Sequence, residues 1–209
     1  MIVNTTKLTY NQITKKYTKT VKSENFDHSF IEKFLTMLKA GDRVLDAGCG
    51  SGEIAHEMQN YHNLKVSAVD ISEEMIKMGR KKFPKIDFNV MDIRHLSFKK
   101  KIFNAIFANY SVIHILEDDI EMTLRGFNRI LKSKGILYLS LQAPLNSKQI
   151  DGYYPIVYKK RSSLFINLFK EEEIKKYLNL TGFKVVNVAS RNSDRKTEFP
   201  FKKLFIIAQ

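Results

Sequence analysis

Three aspartates stand where ligand-binding chemistry could be placed. Asp46, Asp70 and Asp92 each close an apolar, strand-like segment, and a glycine-rich turn follows the first of them. The carboxyl ends of parallel strands meet at one edge of a sheet, where open α/β folds bind their ligands. A lone aspartate after a strand is most often a helix cap. Three in order, beginning at a glycine turn, favour a site for a nucleotide-like ligand instead.

The glycine turn itself restricts the kind of ligand. Gly48-Cys49-Gly50-Ser51-Gly52 lets a ligand approach the main chain closely,. A dinucleotide fingerprint would need glycine at position 53, which is Glu53, and a phosphate loop would need Lys and Ser or Thr after the last glycine,. An acid two residues before Gly48 is also a poor neighbour for a pyrophosphate. The turn therefore favours an adenosine ligand with a cationic amino group and no phosphate, and S-adenosylmethionine meets each demand.

Asp70 and Asp92 fit the rest of such a ligand. Asp70 lies about 20 residues after the turn, which is where dinucleotide folds place the acid that accepts from ribose hydroxyls. Ile71 beside it could offer an apolar face to a purine. Asp92 closes what should be the neighbouring strand, and its carboxylate could accept from the exocyclic amine of adenine, with backbone at Ile93 completing the recognition.

The elements that must position these residues follow from the alternation of apolar runs and amphipathic stretches. The pattern predicts an α/β fold, a largely parallel sheet covered on both faces. The last strand follows its predecessor without a helix, so we expect it to pair antiparallel. Predicted strands are 43–46, 65–70, 86–91, 103–108, 135–142, 183–189 and 203–208, and predicted helices are 7–22, 27–39, 52–60, 72–83, 117–132 and 170–180. Asp27 is expected to cap the second of these helices, and Gly135 is expected to stop the fifth,.

We interpret residues 1–209 as a single domain with four parts. Residues 1–40 form a helical cap, 41–142 the ligand-binding core, 143–169 an insertion and 170–209 a helix with the last two strands. The insertion is rich in aromatic and polar residues. A hairpin of 155–159 with 164–169 there would make a lid or substrate wall.

The amino-acid composition limits the kinds of molecule and the compartment that the protein is expected to meet. Lysine and arginine exceed aspartate and glutamate by 13, which invites a nucleic-acid interpretation,. Scattered lysines that keep the surface solvated are the simpler explanation, because lysine far outnumbers arginine. The single cysteine, Cys49, cannot form an internal disulfide, and we see no secretion signal or membrane span, so we expect a cytoplasmic protein,. We also see no cluster of metal ligands.

These segments closely resemble the motifs of the class I, Rossmann-like S-adenosylmethionine-dependent methyltransferases. The match is most specific over roughly residues 40–142. The matching segments are Val44–Gly52, Ala68–Met75, Val90–Ile93, Phe103–Tyr110, Arg129–Leu137 and Gly182–Val185.

The resemblance implies a seven-stranded doubly wound sheet with the last strand antiparallel, and S-adenosylmethionine as cofactor. It assigns Asp46 and the glycine turn to the methionine portion, Asp70 to the ribose and Asp92-Ile93 to the adenine. Tyr10 and Tyr17 resemble the N-terminal cap of the ubiquinone-biosynthesis-like, small-molecule members. The cofactor-binding residues it implies are Tyr10, Tyr17, Asp46, Gly48, Cys49, Gly50, Asp70, Ile71, Met75, Asp92, Ile93 and the main chain at Asn109.

The acceptor is less defined. His114, shortly after the fourth large strand, is the candidate general base or acceptor-orienting group, and a packing histidine is the competing interpretation. Tyr110, Gln142 and Tyr154 are candidate substrate contacts. Enzymes that methylate amino groups of nucleic acids typically carry an Asn- or Asp-Pro-Pro-aromatic tetrad after the fourth strand. At that place this chain has Asn109-Tyr110-Ser111-Val112, without a proline. The aromatic insertion and the tyrosine-bearing cap favour a small, partly apolar acceptor enclosed from water.

Two other functions stay open at this point. A basic RNA- or tRNA-modifying methyltransferase would use the positive charge as its binding surface. From a different class, the chain could be a non-catalytic S-adenosylmethionine-binding or partner-activating protein.

Overall fold

The computed structural model describes residues 2–21, 27–61, 63–156, 163–193 and 198–209. It contains a seven-stranded sheet and a separate two-stranded hairpin. In chain order the strands are β1 (Arg43–Ala47), β2 (Lys65–Asp70), β3 (Asp87–Val90), β4 (Phe103–Asn109), β5 (Leu131–Ala143), β6 (Gly152–Pro155), β7 (Ser163–Ile166), β8 (Val185–Arg191) and β9 (Lys202–Ala208).

The large sheet has the order β3-β2-β1-β4-β5-β9-β8. Strands β1 to β5 pair in parallel, and β9 lies antiparallel between β5 and β8. The predicted doubly wound, mostly parallel sheet with an antiparallel last strand is therefore confirmed. The order reverses beside β1, which places a crevice at the carboxyl ends of β1 and β4.

Six helices cover the sheet: α1 (Ile2–Val21), α2 (His28–Leu35), α3 (Glu53–Asn60), α4 (Glu73–Lys82), α5 (Glu117–Ile130) and α6 (Glu171–Leu180). Neighbouring strand residues enter opposite cores, because side chains alternate along a strand. Ile106 packs with α5 and α6 on one face, whereas Phe107 packs with α2, α3 and α4 on the other. Both faces are thus buried, which explains the continuous apolar runs in the sequence. None of the described helices combines the length and hydrophobicity that a membrane span requires.

Several sequence predictions of local structure need correction. The helix predicted over 27–39 ends at Leu35, and the strand predicted over 135–142 begins at Leu131. The helix predicted over 117–132 ends at Ile130, and the left-handed residue after it is Lys134, with φ 62°, rather than Gly135. The predicted hairpin pairs 152–155 with 163–166, an earlier register on both strands. Its predicted residues 157–159 lie outside the described residues.

Asp27, expected to cap the second helix, holds the capping position without a capping hydrogen bond. Its carboxylate instead accepts from the Tyr110 hydroxyl, at 2.8 Å, and from Arg191 Nε, at 2.7 Å. The side chain therefore ties the start of α2 to the end of β4 and to β8.

Candidate active site

A large cavity opens where the carboxyl ends of β1, β2 and β4 meet, and α1 lies across it. Its empty volume, counted out to the open mouth, is about 1090 Å³. That is the scale of a pocket for a cofactor together with a small second molecule. Fourteen of the residues singled out from the sequence line it: Tyr10, Tyr17, Asp46, Gly48, Cys49, Gly50, Asp70, Ile71, Met75, Asp92, Ile93, Asn109, Tyr110 and His114.

The glycine turn forms the floor of the cavity. Gly48 and Gly50 have φ of 86° and 54°, a left-handed conformation that disfavours other residues,. At Gly48 a Cβ would lie 2.2 Å from the Ser111 Cβ, whereas a Cβ at Gly50 would meet no atom within 4 Å. Gly48 is therefore glycine because the loop after β4 packs against it. The main chain at Gly50 is open to a ligand.

Asp46 is a buried carboxyl that lines this floor. It is 2% exposed, and no described residue donates a hydrogen bond to it. Burial, and then the nearby charge of Asp70, raise its pKa to about 8,. A buried carboxyl without a donor is costly unless a cation or donor meets it. The surroundings of Asp46 suit a ligand with a cationic amino group.

Asp70 is held at the end of β2 by main-chain donors. The amide of Gly50 donates to one carboxylate oxygen, at 2.9 Å, and the amide of Ser72 to the other, at 2.8 Å. Burial raises its pKa, and these hydrogen bonds oppose the rise. Each oxygen keeps a lone pair, so a pair of ribose hydroxyls could both donate to it.

Asp92 is not the free carboxylate that the sequence suggested. Arg94 donates to both of its oxygens, with Nη2 2.7 Å from Oδ2, and reaches Asp119 through Nη1 at 2.6 Å. Burial acts to raise the pKa of Asp92, but the hydrogen bonds and charge of Arg94 outweigh it and lower the pKa. Asp92 is thus ionised and fixed in orientation. Arg94 itself lines the cavity, and nothing in its sequence context had singled it out.

Asn109 adds a polar atom that sequence reasoning missed, since only its main chain was expected to contribute. Its Oδ1 is buried without a hydrogen-bond partner among the described residues. Such groups are rare in folded proteins and indicate a missing partner. A ligand donor beside the end of β4 would satisfy it.

Helix α1 closes the cavity through polar side chains. Asn11 Oδ1 accepts from Ser72 Oγ, at 2.6 Å, and from the amide of Glu74, at 3.3 Å, while Asn11 Nδ2 donates to Glu73 at 3.1 Å. Lys7 also pairs with Glu73. Asn11 therefore satisfies donors at the start of α4 that have no partner within that helix. Sequence patterns could not predict this contact, because it joins residues about 60 positions apart.

His114 also lines the cavity, from the short 3-10 turn Val112–His114. Its Nδ1 is 2.8 Å from the carbonyl oxygen of Phe165, in β7, and its Nε2 is 2.9 Å from the Tyr10 hydroxyl. A carbonyl only accepts, so Nδ1 carries the proton and Tyr10 donates to Nε2. Burial lowers the pKa of His114 to about 4, and the bond to Phe165 opposes this only partly. The imidazole is therefore neutral at pH 7.

The three candidate substrate contacts lie in different places, and one of them lines the cavity. Tyr110 lines the cavity and has a left-handed φ of 51°. Gln142 is buried in β5, where its Oε1 accepts from Lys203 Nζ at 3.0 Å. Tyr154 packs edge-on against Phe201 and donates to a main-chain carbonyl. Neither Gln142 nor Tyr154 is among the cavity-lining residues, so their placement gives no support to a substrate role.

The chain is similar to known methyltransferases in sequence and in fold. Residues 44–135 match the sequence model of a family described as a methyltransferase domain. Over 97 residues the chain is 30% identical to the demethylmenaquinone methyltransferase of Chlorobaculum parvum, covering 46% of this chain and 39% of that one. Over 107 residues it is 31% identical to the malonyl-[acyl-carrier protein] O-methyltransferase of Hamiltonella defensa, covering 51% and 40%. The chain thus spans about two fifths of the length of these relatives.

A solved structure extends the likeness to the whole fold. The crystal structure of an S-adenosylmethionine-dependent methyltransferase from Methanosarcina mazei superposes with a TM-score of 0.74 at 20% identity, covering 82% of this chain and 93% of that one. S-adenosylmethionine, the cosubstrate that the sequence motifs imply, fits the residues present. The unpartnered Asp46 and Asn109 oxygens and the open main chain at Gly50 line the same cavity as Asp70. The motifs, the fold and the cavity agree with one another, and over residues 44–135 the chain is similar to the class I, Rossmann-like S-adenosylmethionine-dependent methyltransferases.

Proposed function

We propose that this protein transfers a methyl group from S-adenosylmethionine to a small, partly apolar acceptor through an oxygen, nitrogen or carbon nucleophile. The observation that carries the proposal is a single cavity that holds both the cofactor-type residues and an aromatic cluster in which Tyr10 contacts Tyr17 and His114. When bound, S-adenosylmethionine supplies a methyl group on a sulfonium, which is already activated towards a nucleophile.

The chain's own residues would bind and orient. Asp46 and the Asn109 side chain would receive the amino-acid portion, Asp70 the ribose hydroxyls, and Asp92 with Ile93 the adenine. Helix α1 would exclude water by lying over the cavity. Alignment of this kind supplies about 7–11 kcal/mol in well-oriented reactions, so the protein needs few additional catalytic groups.

His114 would act mainly on Tyr10. With a pKa of about 4, protonating the imidazole at pH 7 would cost about 4 kcal/mol, at 1.36 kcal/mol for each pKa unit. Its Nε2 is also occupied by the Tyr10 hydroxyl. We infer that His114 fixes the Tyr10 hydroxyl in the cavity rather than removing a proton from the acceptor directly.

The charge of the cavity argues against RNA as the acceptor. Besides Asp46, whose pKa is raised, its acidic lining comprises Glu53, Asp70 and Asp92, and the lining arginine, Arg94, is already paired to Asp92 and Asp119. A phosphate backbone approaching this mouth would meet mostly carboxylates. The names of two relatives, a demethylmenaquinone and a malonyl-carrier methyltransferase, agree with small or carrier-bound acceptors.

The proposal is tested by offering the full chain S-adenosylmethionine with pooled small metabolites, or with total RNA, and measuring release of S-adenosylhomocysteine. Release with metabolites and not with RNA supports a small acceptor. Release of S-adenosylhomocysteine with RNA alone would show that the acceptor is RNA and not a small molecule. Binding of S-adenosylhomocysteine without turnover on any pool would favour the non-catalytic alternative.

The role of Tyr10 is tested with Tyr10→Phe, which removes only the hydroxyl. We expect slower methyl transfer with S-adenosylhomocysteine affinity within about tenfold of the parent, since a neutral hydrogen bond contributes about 0.5–1.5 kcal/mol. Tyr153→Phe is the matched control, because Tyr153 is half exposed and does not line the cavity. Equal rates of methyl transfer for the two variants would show that the Tyr10 hydroxyl does not act on the acceptor.

A further inference from the structure

We propose that the edge of the sheet opposite the cavity binds the phosphate backbone of a nucleic acid that is not the methyl acceptor. The amino ends of the parallel strands share this edge. Exposed cations occur there on or beside five of the strands: Lys65, Arg43, Lys101, Lys132, Lys134 and Lys184.

Contacts in the structure join these positions into one row. Arg43 pairs with Lys65 in the β1–β2 register. Asn104 Oδ1 accepts from the Arg43 amide, at 3.1 Å, and from Lys132 Nζ, at 2.8 Å. Strands lie about 4.8 Å apart, so the row from β2 to β8 is about 24 Å long.

The far end of the row is joined through the last residue of the chain. Gln209 donates through its side chain to the carbonyl of Lys134, at 2.8 Å, and exchanges main-chain hydrogen bonds with Lys184. The row is therefore continuous from the second strand to the eighth.

These cations are free to meet an external anion. None of the six forms an ion pair with a described residue. The acids closest along the strand beginnings are Asp42 and Asp87. Asp42 accepts from the main chain of Lys39, and Asp87 accepts from Ser67 and Asn89. Unpaired lysines in a row concentrate positive potential along the edge.

The residues between the cations favour a phosphate backbone over a protein partner or a membrane. Asn63, Ser133 and Gln209 are exposed there, and Asn104 is half-buried. Amide and hydroxyl groups together with lysine are the usual donors to phosphate and sugar oxygens. A protein interface would need an apolar centre. A linear row also follows a linear polyanion better than it covers a planar bilayer.

Geometry separates this edge from the site of methyl transfer. Strand β4 has seven residues, which at about 3.3 Å each places the cavity roughly 20 Å from the row. The nucleotides held at the row are therefore too far from the cavity to receive the methyl group themselves. Nucleic acid would localise or regulate the protein rather than receive the methyl group.

The test is fluorescence anisotropy of the full chain with a labelled 20-nucleotide RNA and with a 20-base-pair DNA duplex between 50 and 300 mM KCl. The variant carries Arg43→Gln, Lys65→Gln, Lys132→Gln and Lys134→Gln. The matched control removes four exposed lysines elsewhere, by Lys15→Gln, Lys77→Gln, Lys148→Gln and Lys176→Gln.

We expect the edge variant to reduce the log–log salt slope by about 3 for RNA and about 4 for duplex DNA, at about 0.7 and 0.9 per phosphate contact. The control should keep a slope close to that of the parent. The nucleic acid that the parent binds more tightly at the same KCl concentration is the one the edge fits. S-adenosylhomocysteine affinity should stay unchanged in both variants, which shows that they fold.

Three results would overturn the proposal. One is no binding of either nucleic acid by the parent at 50 mM KCl. Another is an equal loss in the edge and control variants, which would mean that diffuse net charge is responsible. The third is binding to phosphatidylglycerol vesicles while both nucleic acids fail, which would make the edge a membrane surface.

Discussion

Replacing Asp46 with asparagine is expected to remove most of the pH dependence of S-adenosylhomocysteine binding. Burial and the nearby Asp70 raise the pKa of Asp46 to about 8 in the ligand-free protein. At pH 7 such a carboxyl is roughly 90% protonated. A cationic amino group at Asp46 requires the ionised form, so binding at pH 7 should release up to about 0.9 proton from this residue.

The direction of the effect follows from the raised pKa. Affinity should rise with pH by nearly tenfold between pH 6 and 7 and level off above about pH 8. Folding has the opposite dependence, because the unfolded chain ionises Asp46 first. In the ligand-free protein, the contribution of protonated Asp46 to the free energy of unfolding is fully present below about pH 4 and is lost as the pH rises to about 8,.

Titration calorimetry between pH 6 and 9, in buffers of different ionisation enthalpy, measures both the affinity and the protons released. Asp46→Asn is the comparison, since any ionisation of the ligand itself is common to both proteins. An affinity for the parent that is flat from pH 6 to 8, or proton release that persists in Asp46→Asn, would refute the placement of the cationic group at Asp46.

Further variants test how the cavity is built. Gly52→Ala should lower the free energy of unfolding, measured in urea, by about 2–4 kcal/mol, because the added Cβ would lie 2.3 Å from Phe88 and φ at this position is left-handed,. Gly126→Ala is the control and should not destabilise the fold, because an added Cβ there would meet no atom within 4 Å. Asn11→Ala should expose α1 to faster hydrogen exchange and weaken S-adenosylhomocysteine binding by about tenfold, as one or two hydrogen bonds to α4 are lost; unchanged exchange would contradict its role in closure. Arg94→Met should reduce the preference for S-adenosylhomocysteine over its deaminated inosine analogue, because the Asp92 carboxylate loses the hydrogen bonds that fix its orientation. An unchanged ratio of the two affinities would show that adenine is recognised elsewhere.

The fold could be predicted because its signals are local. Apolar runs, the caps and the glycine turn each depend on residues within a few positions, and they agree with one another over the core. The errors occur where tertiary contacts decide. Asp27 carries a good capping side chain, yet its carboxylate is used by Tyr110 and Arg191.

The site could be predicted in part for the same reason. Asp46, Asp70 and Asp92 are placed by strand ends, so sequence spacing finds them. Arg94 and Asn11 were missed because their roles depend on side chains brought together by the fold.

The substrate contacts were the least accessible to sequence reasoning. Whether a side chain in the insertion points into the cavity depends on its register in the hairpin. The register was predicted wrongly, and Tyr154 lies against Phe201 instead of lining the cavity.

Asp70, the acid at the end of β2, is expected to hold the ribose of S-adenosylmethionine in this cavity. Titration calorimetry of S-adenosylhomocysteine against the parent and Asp70→Ala, with circular dichroism to verify folding, tests it most directly. We predict one site in the parent and an affinity at least about 100-fold weaker in Asp70→Ala, since hydrogen bonds to a charged group contribute about 1.5–3 kcal/mol each and two ribose hydroxyls lose their acceptor. No binding by the parent, or equal binding by a folded Asp70→Ala, would contradict the account.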